Sequence, residues 1–100
     1  MFPPKIVNFV SNLITETDRG SLSWSYDDEL AEVRTKNNNF TIVMQYSFNQ
    51  LLEVGQFTLY YYNADENKEY RFHTTQEYND YDLARRLYDT AQSSCMKLPF

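Results

Sequence analysis

Hydrophobic residues near the start of the chain recur with the period of a helix. Five apolar residues fall on one helical side: Ile6, Phe9, Val10, Leu13 and Ile14. Pro3 and Pro4 suit a first helical turn, where the missing N–H of proline costs nothing. Gly20 suits a left-handed helix end. The spacing therefore predicts an amphipathic helix between these prolines and this glycine.

From Ser21 onward the apolar period changes to two, which is typical of half-buried strands. The pattern predicts five strands, within residues 21–28, 31–35, 40–48, 56–63 and 69–75. The second of them has the weakest alternation. Short polar runs rich in Asn, Asp and Glu separate most of the strands and favour tight turns.

A second helix is predicted at the end of the chain. Residues 74–77 read Thr-Thr-Gln-Glu and match a capping box, which places the helix start there. Its apolar stripe consists of Tyr81, Ala84, Leu87, Tyr88, Ala91 and Cys95. This stripe predicts that the single cysteine is buried in packing.

The element order predicts a two-layer α+β fold, written α-β-β-β-β-β-α, as a single domain over residues 1–100. Consecutive strands with short connections favour an antiparallel meander of four or five strands, since parallel pairing needs long crossovers. Both helices are expected on one face of the sheet. Segment 49–55 is ambiguous, because its two leucines and valine are apolar enough to form a helical turn over an open edge of the core.

Three consecutive tyrosines in the fourth predicted strand cannot share one face. If Tyr61 faces the helices, Tyr60 and Tyr62 face outward, where Arg71 and His73 of the fifth strand join them. Three interpretations stay open: an ordinary solvated sheet face, a face that binds a partner or a second copy, and a platform for a small ligand.

Composition and charge narrow the class of function. The chain is 42% hydrophobic and 17% aromatic, which predicts an ordered core rather than disorder. Its net charge is −5 and its basic residues are scattered, so direct nucleic-acid binding is not expected. An acidic surface is complementary to a basic partner, and its carboxylates could mimic nucleic-acid phosphates in the basic groove of a protein that handles nucleic acids.

The sequence offers little for catalysis, and we predict no catalytic residue, no metal and no cofactor. His73 is the single histidine and has no nucleophile motif beside it, and Gly20 and Gly55 alone cannot form a phosphate-binding loop. The acids Asp27, Asp28 and Glu29, with Glu32 nearby, lack the spacing of a calcium loop. We instead assign partner binding to Tyr60, Tyr62, Arg71, His73, Asp27, Asp28, Glu29, Glu32, Asp65 and Glu66.

The sequence thus predicts a small acidic, non-enzymatic binding protein that inhibits or regulates a protein partner by covering its surface. Its size, acidity and helix–sheet–helix plan are similar in type to small phage inhibitors and immunity proteins, with no residue carried over. The alternatives are a homodimeric module and, with less support, a ligand-binding domain. No leader or membrane-spanning run is evident, so a cytoplasmic protein without membrane partners is expected.

Overall fold

The computed structural model describes residues 1–99 and has seven elements. In chain order they are α1 (Pro4–Asp18), β1 (Trp24–Asp27), β2 (Glu32–Lys36), β3 (Phe40–Asn49), β4 (Val54–Asn63), β5 (Lys68–Thr75) and α2 (Tyr81–Ser94). The predicted α+β class and the α-β-β-β-β-β-α order are confirmed. Segment 32–36 is a strand, so the sheet has five strands.

The sheet is an antiparallel meander in the order β1-β2-β3-β4-β5. Its longest pairing joins β3 to β4, from Phe40 opposite Asn63 to Asn49 opposite Val54. This sequential order follows from the short turns, which cannot reach past a neighbouring strand.

The ends of α1 form as the sequence predicts. Pro3 precedes the first turn, and its carbonyl accepts the N–H groups of Ile6 and Val7. At the other end Gly20 has a φ of +79°, the left-handed region that glycine enters without a Cβ penalty. The N–H of Ser21 returns to the carbonyl of Glu16 at 3.0 Å, which completes a Schellman motif.

Both helices cover the same face of the sheet, which we call the inner face. Aromatic contacts connect the layers: Phe57 of β4 lies 5.5 Å from Tyr88 of α2, and Tyr61 lies 5.4 Å from Phe9 of α1, between ring centroids. The largest fully buried apolar side chains are Ile42, Met44, Leu59, Leu87, Val10 and Val33. The sequence of α1 is rich in β-branched residues, which have a low helix propensity. Packing of α1 against the sheet therefore supplies most of its stabilisation.

A buried hydrogen bond fixes α1 against the first strand. The indole N–H of Trp24 donates to the hydroxyl of Thr17 at 2.9 Å, and that hydroxyl donates to the carbonyl of Leu13 at 2.7 Å. A buried indole N–H needs such a partner, so this contact fixes the position of the tryptophan as well as burying it.

The predicted capping box at residues 74–77 is wrong. Thr74 and Thr75 are the last residues of β5, paired with Phe57 and Gln56, and α2 begins only at Tyr81. The hydroxyl of Thr74 donates instead to the carboxylate of Asp80. Strand pairing therefore outcompetes a local motif that is favourable only when the helix starts there.

The interpretation of segment 49–55 as a cover for the core is also wrong. It is a tight hairpin turn between β3 and β4, and Leu51 and Leu52 project into solvent. Tyr46 and Phe48 follow Ile42 and Met44 on the inner side of β3, as strand alternation predicts, but are exposed. They lie in the part of β3 that extends past the pairing with β2, which ends at Gln45.

Cys95 is exposed rather than buried, because α2 ends at Ser94 and the apolar stripe continues past the helix. Its thiol donates to the carbonyl of Trp24 at 3.0 Å. The cysteine thus connects the end of α2 to the start of β1 instead of filling the core.

Candidate functional site: the outer face of the sheet

The strand register separates the three tyrosines as the alternation predicts. Tyr61 pairs with Ile42 and Tyr70 on the inner face, where it contacts the ring of Phe9. Tyr60 and Tyr62 project from the opposite face, which no helix covers. We call that surface the outer face.

The centre of the outer face is a row of side chains that crosses four strands. Arg34 lies opposite Val43, Val43 opposite Tyr60, and Tyr60 opposite Arg71. Val43 retains only 7% of its exposure although no element covers it, because its neighbours on either strand shield it. The guanidinium carbon of Arg71 lies 5.1 Å from the centroid of the Tyr60 ring, a cation–π contact that holds both side chains in place.

Tyr62 lies toward the turn between β4 and β5. Its hydroxyl donates to the Oδ1 atom of Asn67 at 2.6 Å, which fixes the ring while leaving it exposed. The Tyr60 hydroxyl lies 3.5 Å from Oε1 of Gln45. These contacts order both tyrosines before any partner arrives, which reduces the entropy lost on binding.

Between the two tyrosines and β2 the outer face forms an open groove of about 420 Å³. Its floor is Val43 and Thr41, and its walls are completed by Glu32, Arg34, Gln45, Tyr60, Tyr62 and Glu69. Val43 and the two tyrosine rings supply the apolar surface of the groove, and the other lining residues are polar or charged.

Charge on the outer face differs from that of the whole chain. The bases are Arg34, Lys36 and Arg71, and the acids are Asp27, Glu32 and Glu69. Arg34 forms an ion pair with Glu32, with 3.3 Å between Nη2 and Oε1. The outer face therefore carries no net charge, although the chain carries −5.

His73 lies opposite Thr58 on the outer face, in the edge strand β5. Its backbone carbonyl accepts an N–H from Met1 at 3.1 Å, so the start of the chain follows part of this edge. The His73 imidazole is exposed and lies beside Arg71 at the edge of the outer face.

The predicted acidic residues divide into two groups at opposite ends of the strands. Asp27 ends β1 and Asp28 and Glu29 begin the turn before β2, while Asp65 and Glu66 lie in the turn before β5. The length of β2, about 13 Å for its five residues, separates the two ends along the strands. Among the predicted acids, Glu32 and Asp27, which lies opposite it, are on the outer face itself.

Sequence reasoning missed a second group of exposed side chains. Leu30, Phe48, Leu51 and Leu52 are all more than half exposed, and they gather near one end of the sheet. The signal was present in the two leucines of a hairpin turn, where polar residues serve equally well. From the sequence alone, the same leucines indicate a helical turn over the core rather than an exposed surface.

Among residues 1–99, no group of three or more His, Cys, Asp or Glu side chains is positioned to hold a metal ion. Neither helix of the described chain is long and apolar enough to cross a membrane. In comparisons with known proteins, no family model, no curated protein and no solved structure matched this chain.

Proposed function

We propose that this chain is a non-enzymatic binding protein that covers part of a protein partner with its outer face, and thereby inhibits or regulates that partner in the cytoplasm. The observation that carries the proposal is the bare sheet face with two ordered tyrosines beside a groove. Tyrosine and arginine are the residue types that most often dominate binding energy at protein interfaces.

The size of the outer face supports a protein partner. Five strands at a spacing of about 4.8 Å, with strands of up to ten residues, give a surface roughly 20–30 Å on each side. A standard interface buries about 800 Å² on each partner, so this face and its rim are large enough for one.

The distribution of charge assigns separate roles to the tyrosines and the acids. The two acidic groups at opposite ends do not form one continuous row of carboxylates, so the contact itself rests on the tyrosines. The net charge of −5 favours encounter with a basic protein by long-range attraction.

The test is a pull-down from the native host's lysate with the protein and with Tyr60→Ala and Tyr62→Ala, followed by affinity measurement on the partner recovered. We expect each substitution to weaken binding by more than about 1 kcal/mol while the fold is retained. Tyr78→Ala is the matched control, because Tyr78 is comparably exposed but lies outside the outer face.

Unchanged affinity in the Tyr60→Ala, Tyr62→Ala double variant would contradict the proposed contact face. Light scattering at several concentrations addresses the homodimeric alternative. A dimer that dissociates in the double variant, with no other partner recovered, would replace the inhibitor proposal with self-association through the outer faces.

A further inference from the structure

One end of the sheet carries an exposed apolar group that the fold does not use. We call it the hairpin end and define it by Leu30, Tyr46, Phe48, Leu51 and Leu52. Leu51 is 97% exposed and Phe48 is 56% exposed. Contiguous apolar patches on a protein surface commonly mark sites of interaction.

Phe48, Leu51 and Leu52 lie in the hairpin that β3 and β4 form beyond β2, whose pairing with β3 ends at Gln45. The backbone N–H of Tyr46 donates to the carbonyl of Ala31 at 2.9 Å, and the side chain of Gln45 donates to the carbonyl of Leu30 at 3.2 Å. These bonds place the turn before β2 beside the middle of β3, on the side of Gln45 and Tyr46 that leads to the hairpin. The ring of Tyr46 packs on Phe57 at 5.3 Å, so the exposed group is continuous with the core.

The turn itself does not need its leucines. The side chain of Asn49 accepts the N–H groups of Leu51 and Leu52, both at 3.1 Å, and this closes the turn. The same chemistry closes the turn between β4 and β5, where the side chain of Asn63 accepts the N–H groups of Asp65 and Glu66. That turn has polar residues where this one has leucines, so the leucines are surplus to folding.

All charged side chains in the segments that form this end are acidic. Residues 27–31, 46–54 and 76–80 contain six acids and no lysine, arginine or histidine: Asp27, Asp28, Glu29, Glu53, Glu77 and Asp80. Segment 76–80 belongs to this end because Gln76 exchanges two hydrogen bonds with Gly55. Two copies of such a surface would repel each other, as would a membrane of anionic lipids.

We propose that the hairpin end is a second docking surface, and that its occupant is an apolar segment of a protein partner flanked by lysine or arginine. Apolar contact would bury Leu51, Leu52 and Phe48, and the basic flanks would pair with the surrounding carboxylates. This surface is separate from the outer face, so it does not depend on the function proposed above.

The probe is a fluorescent amphipathic peptide of leucine and lysine, titrated with the full chain. We expect saturable binding that weakens as salt rises and that falls at least about tenfold in the Leu51→Ser, Leu52→Ser double variant. The substitutions leave every charge in place, so a loss of binding reports the apolar contact. Leu98→Ser is the matched control, since Leu98 is also highly exposed but lies beyond α2.

Two further controls separate this surface from the outer face and from charge alone. Tyr60→Ala with Tyr62→Ala is expected to leave peptide binding unchanged. A peptide with glutamate in place of lysine is expected not to bind. Equal binding of the leucine–lysine peptide to the protein and its double leucine variant would overturn the proposal, because charge alone would then explain it.

The other possible occupants give distinct results, and each would overturn the proposal. One result is that the protein binds zwitterionic phosphatidylcholine vesicles, that the double leucine variant does not, and that neither binds the peptide. Another is a concentration-dependent dimer that the same variant abolishes. The first would indicate a lipid surface and the second a further copy of this chain.

Discussion

The two ends of the sheet use the same turn chemistry and present different surfaces. At the hairpin end the turns start with Asp27 and Asn49, and at the opposite, polar end they start with Asn37 and Asn63. In all four turns the first side chain accepts backbone N–H groups from residues two or three positions later. The turns therefore fold by one mechanism, and the remaining turn residues are free to serve other purposes.

Those free positions differ sharply between the ends. At the polar end they are asparagine, alanine and acidic residues, which satisfy solvent. At the hairpin end they include three leucines, all more than half exposed. The comparison indicates that the composition of a turn reports function only after the residues required for its geometry are set aside.

The largest effect is expected where the hairpin end is tied to the start of the chain. The Asp80 carboxylate accepts the N–H of Phe2 at 2.6 Å and the hydroxyl of Thr74, and Phe2 is buried. Asp80→Ala leaves these buried donors without a partner and should cost about 2–4 kcal/mol of unfolding free energy. Chemical denaturation measures this loss of unfolding free energy. A loss smaller than about 1 kcal/mol would show that Asp80 does not fix the start of the chain.

A smaller and matched effect is expected from the turns themselves. Asn49→Ala and Asn63→Ala each remove an acceptor of two backbone N–H groups at opposite ends of the sheet. Each should destabilise the protein by about 1 kcal/mol. Urea unfolding of both variants tests whether the ends share one mechanism. If only one of the two variants lost stability, the two ends would not fold by the same turn mechanism.

Stability at alkaline pH should depend on a buried tyrosine beneath the hairpin end. Burial, followed by the neighbouring Tyr26 hydroxyl and the carboxylates of Asp89 and Asp28, raises the pKa of Tyr88 above its ordinary value. The folded chain thus keeps a proton that the unfolded chain loses above about pH 10, so this stabilisation is full below that pH and falls above it. Thermal unfolding across this range should show a weaker pH dependence for Tyr88→Phe than for the control Tyr62→Phe.

The smallest effect on stability is expected from the leucines of the hairpin end. Leu51→Ser and Leu52→Ser remove side chains that contribute little to the core, so the unfolding free energy should change by less than about 0.5 kcal/mol. Leu59→Ala in the core is the contrasting variant and should cost about 2–5 kcal/mol. A large loss in the serine variants would show that the leucines serve the fold.

The parts of the fold that the sequence predicts well are those set by local chemistry. Alternation located the strands, and Asn, Asp and Gly20 located the turns and the end of α1. Because the side-chain period of a strand is two, the same alternation also assigned Tyr60 and Tyr62 to the outer face.

The failures share a physical cause, which is that local patterns do not reveal what lies opposite them. Thr74 matches a helix cap, yet pairing with Phe57 keeps it in β5. Leu51 looks like a core residue, yet no part of the described chain lies over it. Cys95 continues an apolar stripe, yet the helix ends one residue before it.

The hydrogen bond between Phe2 and Asp80 has a consequence for the order of folding. It joins positions 78 residues apart, whereas every strand pairs with its neighbour in the chain. Closing a long loop costs more entropy than closing a hairpin, so the meander can form while the clasp between the first residues and the loop before α2 is still open. We expect this clasp to form late and to open first, and its loss to speed unfolding far more than it slows folding.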